Sequence, residues 1–189
     1  MLAARYVLGH ERGPVVANLS TTSALDAVAA GFACPVYRSK IGEANVTAEM
    51  MRHHAVVGGE WNGGVIYPRI NFARDSLVGM ALVLHLLAET GRTISELMTE
   101  LPRFYMLKEK MSCRSDRIPA VLRLVRGEYA HWPLDVRDGV KVTTPDGWFL
   151  VRGSNTEPII RLVAEAEDEE RARRLIGDVR SRLVACLDA

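Results

Sequence analysis

The sequence Val-Arg-Gly-Ser-Asn-Thr-Glu-Pro occupies positions 151–158, and two apolar runs, at 148–151 and 159–163, flank its polar centre. The runs are typical of strands, so the polar residues between them are expected to form a tight loop. Arg152 offers a guanidinium fork, and Gly153 allows close approach of the backbone. Short hydrogen-bonding groups come from Ser154, Asn155 and Thr156. Successive N–H groups in such a turn can form an anion-binding nest. These residues alone leave two interpretations open, an ordinary polar hairpin and an anion site.

A second loop, Gly-Gly-Glu-Trp-Asn-Gly-Gly, occupies positions 58–64. Its glycines, among them Gly59 and Gly63, permit positive φ angles and close approach of a ligand. Glu60 can accept two hydroxyl hydrogen bonds, and Asn62 can both donate and accept. This chemistry suits the hydroxyl groups of a sugar. The structural alternative is a glycine-rich hairpin whose carboxylate only stabilises the fold.

The composition limits the classes of function. The 189-residue chain is 48% hydrophobic, and its formal net charge is +1. We therefore expect a buried core, and neither nucleic acid nor a membrane as a partner. The cysteines are far apart and indicate no disulfide framework or metal site, so a reducing cytoplasm is the expected compartment. The longest nearly apolar run, at 77–88, is too short to span a bilayer.

Hydrophobic periodicity predicts an α/β fold in two domains. In residues 1–102, short buried strands alternate with helices, which indicates an α/β domain. In residues 103–189, strands joined by Asp-Gly turns indicate a smaller α+β domain with a mainly antiparallel sheet. The helix expected at 77–89 is apolar nearly all round, which predicts a place in the core. Because the chain opens on a partial helix at 2–8, we expect it to be a fragment of a longer protein.

The two loops together resemble the signature loops of the α-D-phosphohexomutases, the phosphoglucomutase/phosphomannomutase family. The loop at 151–158 follows the family's phosphate-loop pattern, R-x-S-(G/N)-T-E-P, and the loop at 58–64 follows its sugar-loop pattern, G-G-E-x-(S/N)-G. The resemblance implies the third and fourth domains of a four-domain mutase, of which the third is a mixed-sheet α/β domain. It implies sugar contacts from Glu60 and Asn62, in a loop with Gly59 and Gly63. It implies a phosphate site formed by Arg152, Gly153, Ser154, Asn155 and Thr156.

Three further charged residues lie in stretches that the family also carries. The turn Ser-Lys-Ile-Gly-Glu at 39–43 resembles a family turn at the edge of the substrate cleft, which would bring Lys40 and Glu43 near the substrate. The alternatives are a solvated loop lysine and a glutamate that favours a helix N-terminus. The stretch Asp-Gly-Val-Lys at 138–141 makes Lys141 a candidate for facing the phosphate, with a solvated edge lysine as the alternative.

Two other features stay open at this point. The hydroxyl groups at 20–23 precede a predicted helix, where they would form either an anion site at the helix N-terminus or plain N-caps. Arg161 would either support the phosphate loop or pair with a nearby carboxylate. The residues alone do not separate these alternatives.

The chain lacks the catalytic motifs of the resembled family, a phosphoserine in a T-x-S-H-N-P-like stretch and a Mg²⁺ loop of the form D-x-D-x-D-R. The resemblance therefore implies no catalytic residue and no metal ligand here, with Mg²⁺ held elsewhere in the full-length enzyme. The expected partners are a hexose phosphate, of glucose, mannose or glucosamine, and the N-terminal domains of the same enzyme. We expect the substrate-recognition half of a phosphohexomutase, inactive alone. The alternatives are a free-standing phosphosugar-binding or regulatory module and a purely structural domain.

Overall fold

The computed structural model describes residues 1–154 and 156–187. The chain divides into two compact units, Met1–Arg103 and Phe104–Ala189. In the described ranges, no helix is both long enough and apolar enough to cross a membrane.

The first unit is an α/β layer structure around a small mixed sheet. Strand β1 is parallel to β2 and β3, β4 is antiparallel to β3, and the order across the sheet is β2-β1-β3-β4. This arrangement confirms the mixed sheet that the resemblance implies. The elements, in chain order, are α1 (Leu2–His10), β1 (Val15–Asn18), α2 (Ala24–Ala30), β2 (Val36–Ser39), α3 (Glu43–His53), β3 (Val57–Gly59), β4 (Val65–Ile66), α4 (Ser76–Thr90) and α5 (Ile94–Thr99).

The parallel strands decide where polar side chains of this unit meet. Every residue of β1 is buried, including Asn18 at its carboxyl end. Since parallel strands end at the same edge of a sheet, the segments that follow β1, β2 and β3 gather along one edge. In open α/β sheets that edge is the usual place for ligands.

The ends of the last two helices of this unit follow the chemistry of their flanking residues. The Asp75 carboxylate accepts hydrogen bonds from the N–H groups of Leu77 and Val78, and so caps α4. Thr93 and Glu96 form the reciprocal capping box that the sequence predicts for α5. These caps satisfy N–H groups that have no partner inside a helix.

The prediction that α4 lies in the core is wrong. The helix packs against α1 and β4, and its residues Leu82 and Leu86 are buried. Two other apolar side chains are largely exposed, Leu77 at 74% and Leu84 at 63%. A helix that is apolar on every side carries no periodicity from which its buried side can be identified.

The second unit is an antiparallel sheet with helices on one face. The strand order is β5-β9-β8-β7-β6, and every strand pair is antiparallel, as the sequence predicts. A core of apolar side chains, among them Val125, Phe149 and Leu183, joins α6, β8 and α7. The elements are β5 (Tyr105–Ser112), α6 (Ile118–Glu128), β6 (Leu134–Asp135), β7 (Val140–Thr144), β8 (Gly147–Gly153), β9 (Ile159–Ala166) and α7 (Glu169–Leu187).

Strand β8 is longer than the sequence predicts. It extends through Arg152 and Gly153, which pair with Arg161 and Ile160 of β9. These two residues were expected in the loop, but the ladder with β9 fixes them as strand residues. The side chain of Arg152 therefore projects from the sheet and not from a turn.

His10 links α1 to α4 in a way that depends on pH. Its Nδ1 lies 2.8 Å from the carbonyl oxygen of Tyr6, and its Nε2 lies 2.9 Å from Oε1 of Glu89. The hydrogen bond to the Tyr6 carbonyl, opposed by lost hydration and reinforced by Glu89, raises the pKa of His10 above its ordinary value of 6.5. A group whose pKa is raised on folding stabilises the fold fully below its unfolded-state pKa, and this contribution is lost as the pH rises through the folded-state pKa.

We therefore expect His10→Gln to lower the unfolding midpoint most below about pH 6, and progressively less towards about pH 8. Thermal unfolding of the chain, followed by circular dichroism across this range, measures the difference. Glu89→Gln should shrink the same pH dependence. A difference that stays constant with pH would contradict this role of His10.

Candidate functional site

Glu60 lies directly after β3 and connects several segments at the edge where the parallel strands end. Its side chain is only 7% exposed. Oε1 accepts hydrogen bonds from the side-chain amide of Asn18, at 2.9 Å, and from the backbone N–H of Gly42, at 3.1 Å. Oε2 lies 3.1 Å from Nη1 of Arg74. One carboxylate thus joins the ends of β1 and β3, the loop after β2 and the segment before α4.

This position matches the place where α/β sheets bind ligands. Strands β2 and β3 lie on opposite sides of β1, so the strand order reverses next to β1. The crevice outside the carboxyl ends of strands at such a reversal is the general ligand site of open α/β sheets. Asn18 and Glu60 lie at this point, because Asn18 is the last residue of β1 and Glu60 directly follows β3.

The contacts of Glu60 limit what it can still do. A carboxylate has about four lone-pair sites. Two donors contact Oε1 and one contacts Oε2, namely Asn18, Gly42 and Arg74. Oε2 therefore retains one acceptor site, enough for a single hydroxyl group.

Asn18 organises the loop after β1. Its Oδ1 accepts from the backbone N–H of Ser20 at 3.2 Å, from the Ser20 hydroxyl at 3.0 Å and from the Thr21 hydroxyl at 2.9 Å. Asn18 itself is fully buried, and the two hydroxyl-bearing residues are nearly so. The hydroxyl groups of Ser20 and Thr21 therefore serve as donors to Asn18 within the loop. The Thr22 hydroxyl oxygen accepts from the N–H of Ala24, the first residue of α2, at 3.2 Å.

Arg74 bridges Glu60 and Glu43. Its Nε donates to Oε2 of Glu43 at 2.7 Å, and its backbone N–H donates to Oε1 at 3.1 Å. The hydrogen bond from the Arg74 side chain is the largest cause that lowers the pKa of Glu43 below its ordinary value. Gly64 makes room for this bridge, since a Cβ there would lie 2.3 Å from Cδ of Arg74. Glu43, a predicted cleft residue, is thus engaged by a cation of the same unit.

Lys40 follows β2 and is exposed. Within the residues described, no carboxylate lies close enough to Lys40 for an ion pair. Its ammonium group is thus available to an anionic ligand at this edge of the sheet. The structure places Lys40, Glu43 and Glu60 along one edge of the sheet.

The remaining loop residues form a tight turn. The Gly63 N–H donates to the Glu60 carbonyl at 3.1 Å, and Gly63 has a φ of +91°, which favours glycine. Gly59 belongs to β3 and pairs with Val65. Asn62 is exposed, and its Oδ1 accepts from the Gly64 N–H at 3.2 Å. No described residue accepts from the Asn62 amide NH₂, which leaves two donors at the surface of the loop.

In the second unit, the predicted phosphate residues lie at the end of β8 and in the turn that follows. The Ser154 N–H donates to the Ile159 carbonyl at 2.9 Å. The Ser154 hydroxyl oxygen accepts from the Thr156 N–H at 3.4 Å and lies 3.5 Å from the Thr156 hydroxyl. Arg152 and Gly153 precede them at the end of β8. Four of the predicted phosphate residues therefore lie close to one another along the chain. Asn155 lies outside the described residues.

Arg152 and Arg161 face each other across β8 and β9, and each has its own carboxylate. Nε of Arg152 donates to Oδ1 of Asp138 at 3.2 Å. Nη2 of Arg161 donates to Oε2 of Glu157 at 2.6 Å. Arg161 thus pairs with a nearby carboxylate, which was one of its two alternatives. Because Glu157 belongs to the 151–158 stretch, the same ion pair also contacts the predicted phosphate loop, which was the other.

Lys141 shares a sheet face with Arg152 but directs its ammonium group elsewhere. It pairs with Leu150 across β7 and β8, and Leu150 and Arg152 project from the same face. Its Nζ lies 3.7 Å from the centre of the Trp148 ring, a cation–π contact. Trp148 precedes Arg152 by four residues, roughly 13 Å along the strand.

The Mg²⁺ ion that the resemblance implies for the full-length enzyme finds no donor set in the part of the chain described. No group of three or more histidine, cysteine, aspartate or glutamate side chains in residues 1–154 and 156–187 could hold a metal ion.

Three residues of these sites escape sequence reasoning, namely Asn18, Arg74 and Asp138. Asn18 lies 42 positions before Glu60, and its contact depends on two strands becoming neighbours. Arg74 lies in a stretch that the sequence marks only as the approach to a helix, and in the stretch at 138–141 the sequence singles out Lys141 and not Asp138. Their side-chain contacts arise from tertiary packing, which no local pattern encodes.

Two family models match this chain, and both describe the same family. A family model described as "Phosphoglucomutase/phosphomannomutase, alpha/beta/alpha domain III" matches residues 1–105. A second, described as "Phosphoglucomutase/phosphomannomutase, C-terminal domain", matches residues 107–182.

Two curated relatives are longer than this chain. A probable phosphoglucosamine mutase of Methanopyrus kandleri is 40% identical over 178 residues, which are 92% of this chain and 39% of the relative. A phosphoglucomutase/phosphomannomutase of Thermococcus kodakarensis is 37% identical over 165 residues, 87% of this chain and 36% of the relative. The chain thus spans about two fifths of the length of the curated relatives it matches.

Solved structures share the fold. A phosphoglucomutase/phosphomannomutase family protein from Burkholderia thailandensis superposes with a TM-score of 0.79 at 24% identity, over 99% of this chain and 40% of that chain. The N-acetylphosphoglucosamine mutase of Aspergillus fumigatus, in complex with GlcNAc-6P and magnesium, superposes with a TM-score of 0.72 at 16% identity. The superposition covers 96% of this chain and 42% of that chain. At these identities the likeness concerns the fold.

The central place of Asn18 gives a test of the first site. Asn18→Ala removes the partner of Glu60 and of two buried hydroxyl groups, so we expect the free energy of unfolding to fall by about 2–4 kcal/mol. Chemical denaturation measures this loss. Asn45→Ala is the matched control, because Asn45 is exposed and bonds only a loop carbonyl among the described residues. A loss no larger than that of the control would contradict the role of Asn18.

Proposed function

Because the chain belongs to the phosphoglucomutase/phosphomannomutase family, we propose that it is the substrate-recognition half of a phosphohexomutase. In this proposal residues 1–102 supply groups that recognise a sugar, and residues 103–189 supply groups that recognise a non-reacting phosphate. The chain spans about two fifths of its curated relatives, which supports a longer enzyme whose other part supplies the phosphoserine and the Mg²⁺ site.

One observation carries the phosphate assignment. Arg152 is largely buried, with 15% of its side chain exposed, and Asp138 engages only its Nε. No described residue accepts a hydrogen bond from either Nη group. The two Nη groups can therefore bind two phosphate oxygens in the bidentate geometry that guanidinium favours. The hydroxyl groups of Ser154 and Thr156 follow in the next turn and supply neutral donors.

The first unit offers groups that fit a sugar. The remaining acceptor site on Glu60 and the two amide donors of Asn62 suit adjacent hydroxyl groups. The exposed ammonium group of Lys40 lies at the same sheet edge and suits an anionic substituent. Gly59 and Gly63 allow the loop to present these groups closely, and Glu43 acts through Arg74. Lys141, held against Trp148, is a weaker candidate for phosphate contact.

The proposed contribution to catalysis is positioning. Phosphoryl transfer depends mainly on alignment of the reacting groups and on neutralisation of charge. Since the chain spans about two fifths of its curated relatives, it is expected to bind substrate without turnover on its own. The relatives named as phosphoglucosamine mutases, and the Aspergillus enzyme solved with GlcNAc-6P, support a hexose phosphate as the substrate class.

We expect Arg152→Ala to weaken phosphate binding by about 1.5–3 kcal/mol, roughly ten- to a hundredfold, because it removes a charge-assisted hydrogen-bonding group. Titration of the ¹⁵N-labelled chain with glucose 6-phosphate, followed by two-dimensional NMR, measures the dissociation constant even when binding is weak.

Arg173→Ala is the matched control, since Arg173 is a surface arginine that pairs with Glu169 on α7. It should bind as the wild type does. Binding by Arg152→Ala with unchanged affinity would remove the phosphate site and favour a structural role for the loop.

A further inference from the structure

The turn between β6 and β7 is built to lie against Arg152. Gly139 of this turn has a φ of +79°, a conformation that favours glycine. A Cβ at Gly139 would lie 2.2 Å from the Val151 carbonyl oxygen and 2.7 Å from Cβ of Arg152. Since no larger residue fits this contact, the turn backbone reaches the end of β8 directly. The residue before Gly139 is Asp138, and it is thereby fixed beside the Arg152 side chain.

The contact between Asp138 and Arg152 is largely buried, and on the arginine it involves Nε. The two side chains are 18% and 15% exposed, and Oδ1 of Asp138 lies 3.2 Å from Nε of Arg152. A carboxylate on Nε fixes the plane of the guanidinium group but leaves the edge formed by Nη1 and Nη2. That edge can donate to two oxygens of a phosphate.

A second arginine makes such fixation necessary. Arg161 lies directly opposite Arg152 in the β8–β9 ladder, so both side chains project from the same face. Like charges placed opposite each other repel. Glu157 holds the guanidinium group of Arg161 at 2.6 Å, and Asp138 holds that of Arg152. Each arginine thus has a separate carboxylate that sets its direction.

We propose that Asp138 is a positioning residue, which orients the Arg152 guanidinium group for bidentate binding of a phosphate. This inference rests on the proposed phosphate site. The long arginine side chain would otherwise lose rotamer freedom on binding, and fixing it beforehand removes that cost. Asp138 does not touch the phosphate, and its own charge repels the ligand.

The repulsion makes the proposal testable by the sign of an effect. If Asp138 acted only through its charge, its removal would strengthen the binding of a phosphate anion. If it acts by orienting Arg152, its removal weakens binding. Asp138→Asn separates the two effects further, because the amide oxygen still accepts from Nε while the charge is gone.

The experiment titrates wild type, Asp138→Ala, Asp138→Asn and Arg152→Ala chains with glucose 6-phosphate by NMR. We expect Asp138→Ala to bind roughly three- to tenfold more weakly, the cost of ordering one long side chain, and Asp138→Asn to bind at least as well as the wild type. Asp116→Ala, which removes an exposed carboxylate paired with Arg114 in the same unit, should not weaken binding.

The Nε–Hε resonance of Arg152 is the second readout. It should be well dispersed in the wild type and Asp138→Asn, and should move to the exchange-broadened position of a solvated arginine in Asp138→Ala. Backbone spectra of the same samples establish that the second unit is folded.

Unchanged or tighter binding by Asp138→Ala, with Arg152→Ala still deficient, would overturn the positioning role and leave the proposed function intact. Equal loss in Asp138→Ala and Asp138→Asn would also overturn it. If the wild type shows no binding, or if Arg152→Ala binds normally, the phosphate site itself is wrong and the role of Asp138 fails with it.

Discussion

The buried side chain of Glu60 provides the contacts on which the arrangement of the loop at 58–64 depends. Its oxygens hold the side chain of Asn18, the backbone of Gly42 and the guanidinium group of Arg74. The parallel arrangement of β1, β2 and β3 brings Asn18 and Gly42 to Glu60, and the segment between β4 and α4 brings Arg74. A buried carboxylate without such partners would be costly, so the loop and the sheet edge stabilise each other. The contacts of Glu60 thus hold the start of the loop in place, and Asn62 is exposed at its surface.

The second unit uses the same principle with the charges exchanged. Here the sheltered group is a cation, Arg152, and the Asp138 carboxylate of a neighbouring turn accepts from its Nε. Strand pairing with β9 sets the position of the arginine backbone, and the glycine of the turn permits the close approach of Asp138. In each unit a charged side chain at or directly after a strand end, Glu60 or Arg152, is thus held by a partner of opposite charge.

Local patterns in the sequence predict a large part of this arrangement. Alternating apolar residues and Asp-Gly turns predict both sheets, and the two loop motifs predict the family, which the family models and relatives confirm. The end of β8 could not be located, because pairing with β9 and not local composition carries the strand through Arg152 and Gly153. The outward side of α4 was missed since its apolar residues have no period. Asn18 and Asp138 were missed because their roles depend on contacts between distant segments. The assignment of individual residues to sugar or phosphate stays a prediction.

The measurement that tests the central claim most directly is ³¹P NMR of glucose 6-phosphate mixed with the purified 189-residue chain, Mg²⁺ and catalytic glucose 1,6-bisphosphate. Recognition without catalysis predicts that the 6-phosphate resonance shifts or broadens with the wild-type chain, that Arg152→Ala abolishes this change, and that no 1-phosphate resonance appears over hours. Growth of a 1-phosphate resonance would contradict the claim, because the chain would then carry out the transfer itself. A 6-phosphate resonance unaffected by the wild-type chain would contradict it as well, because recognition would be absent.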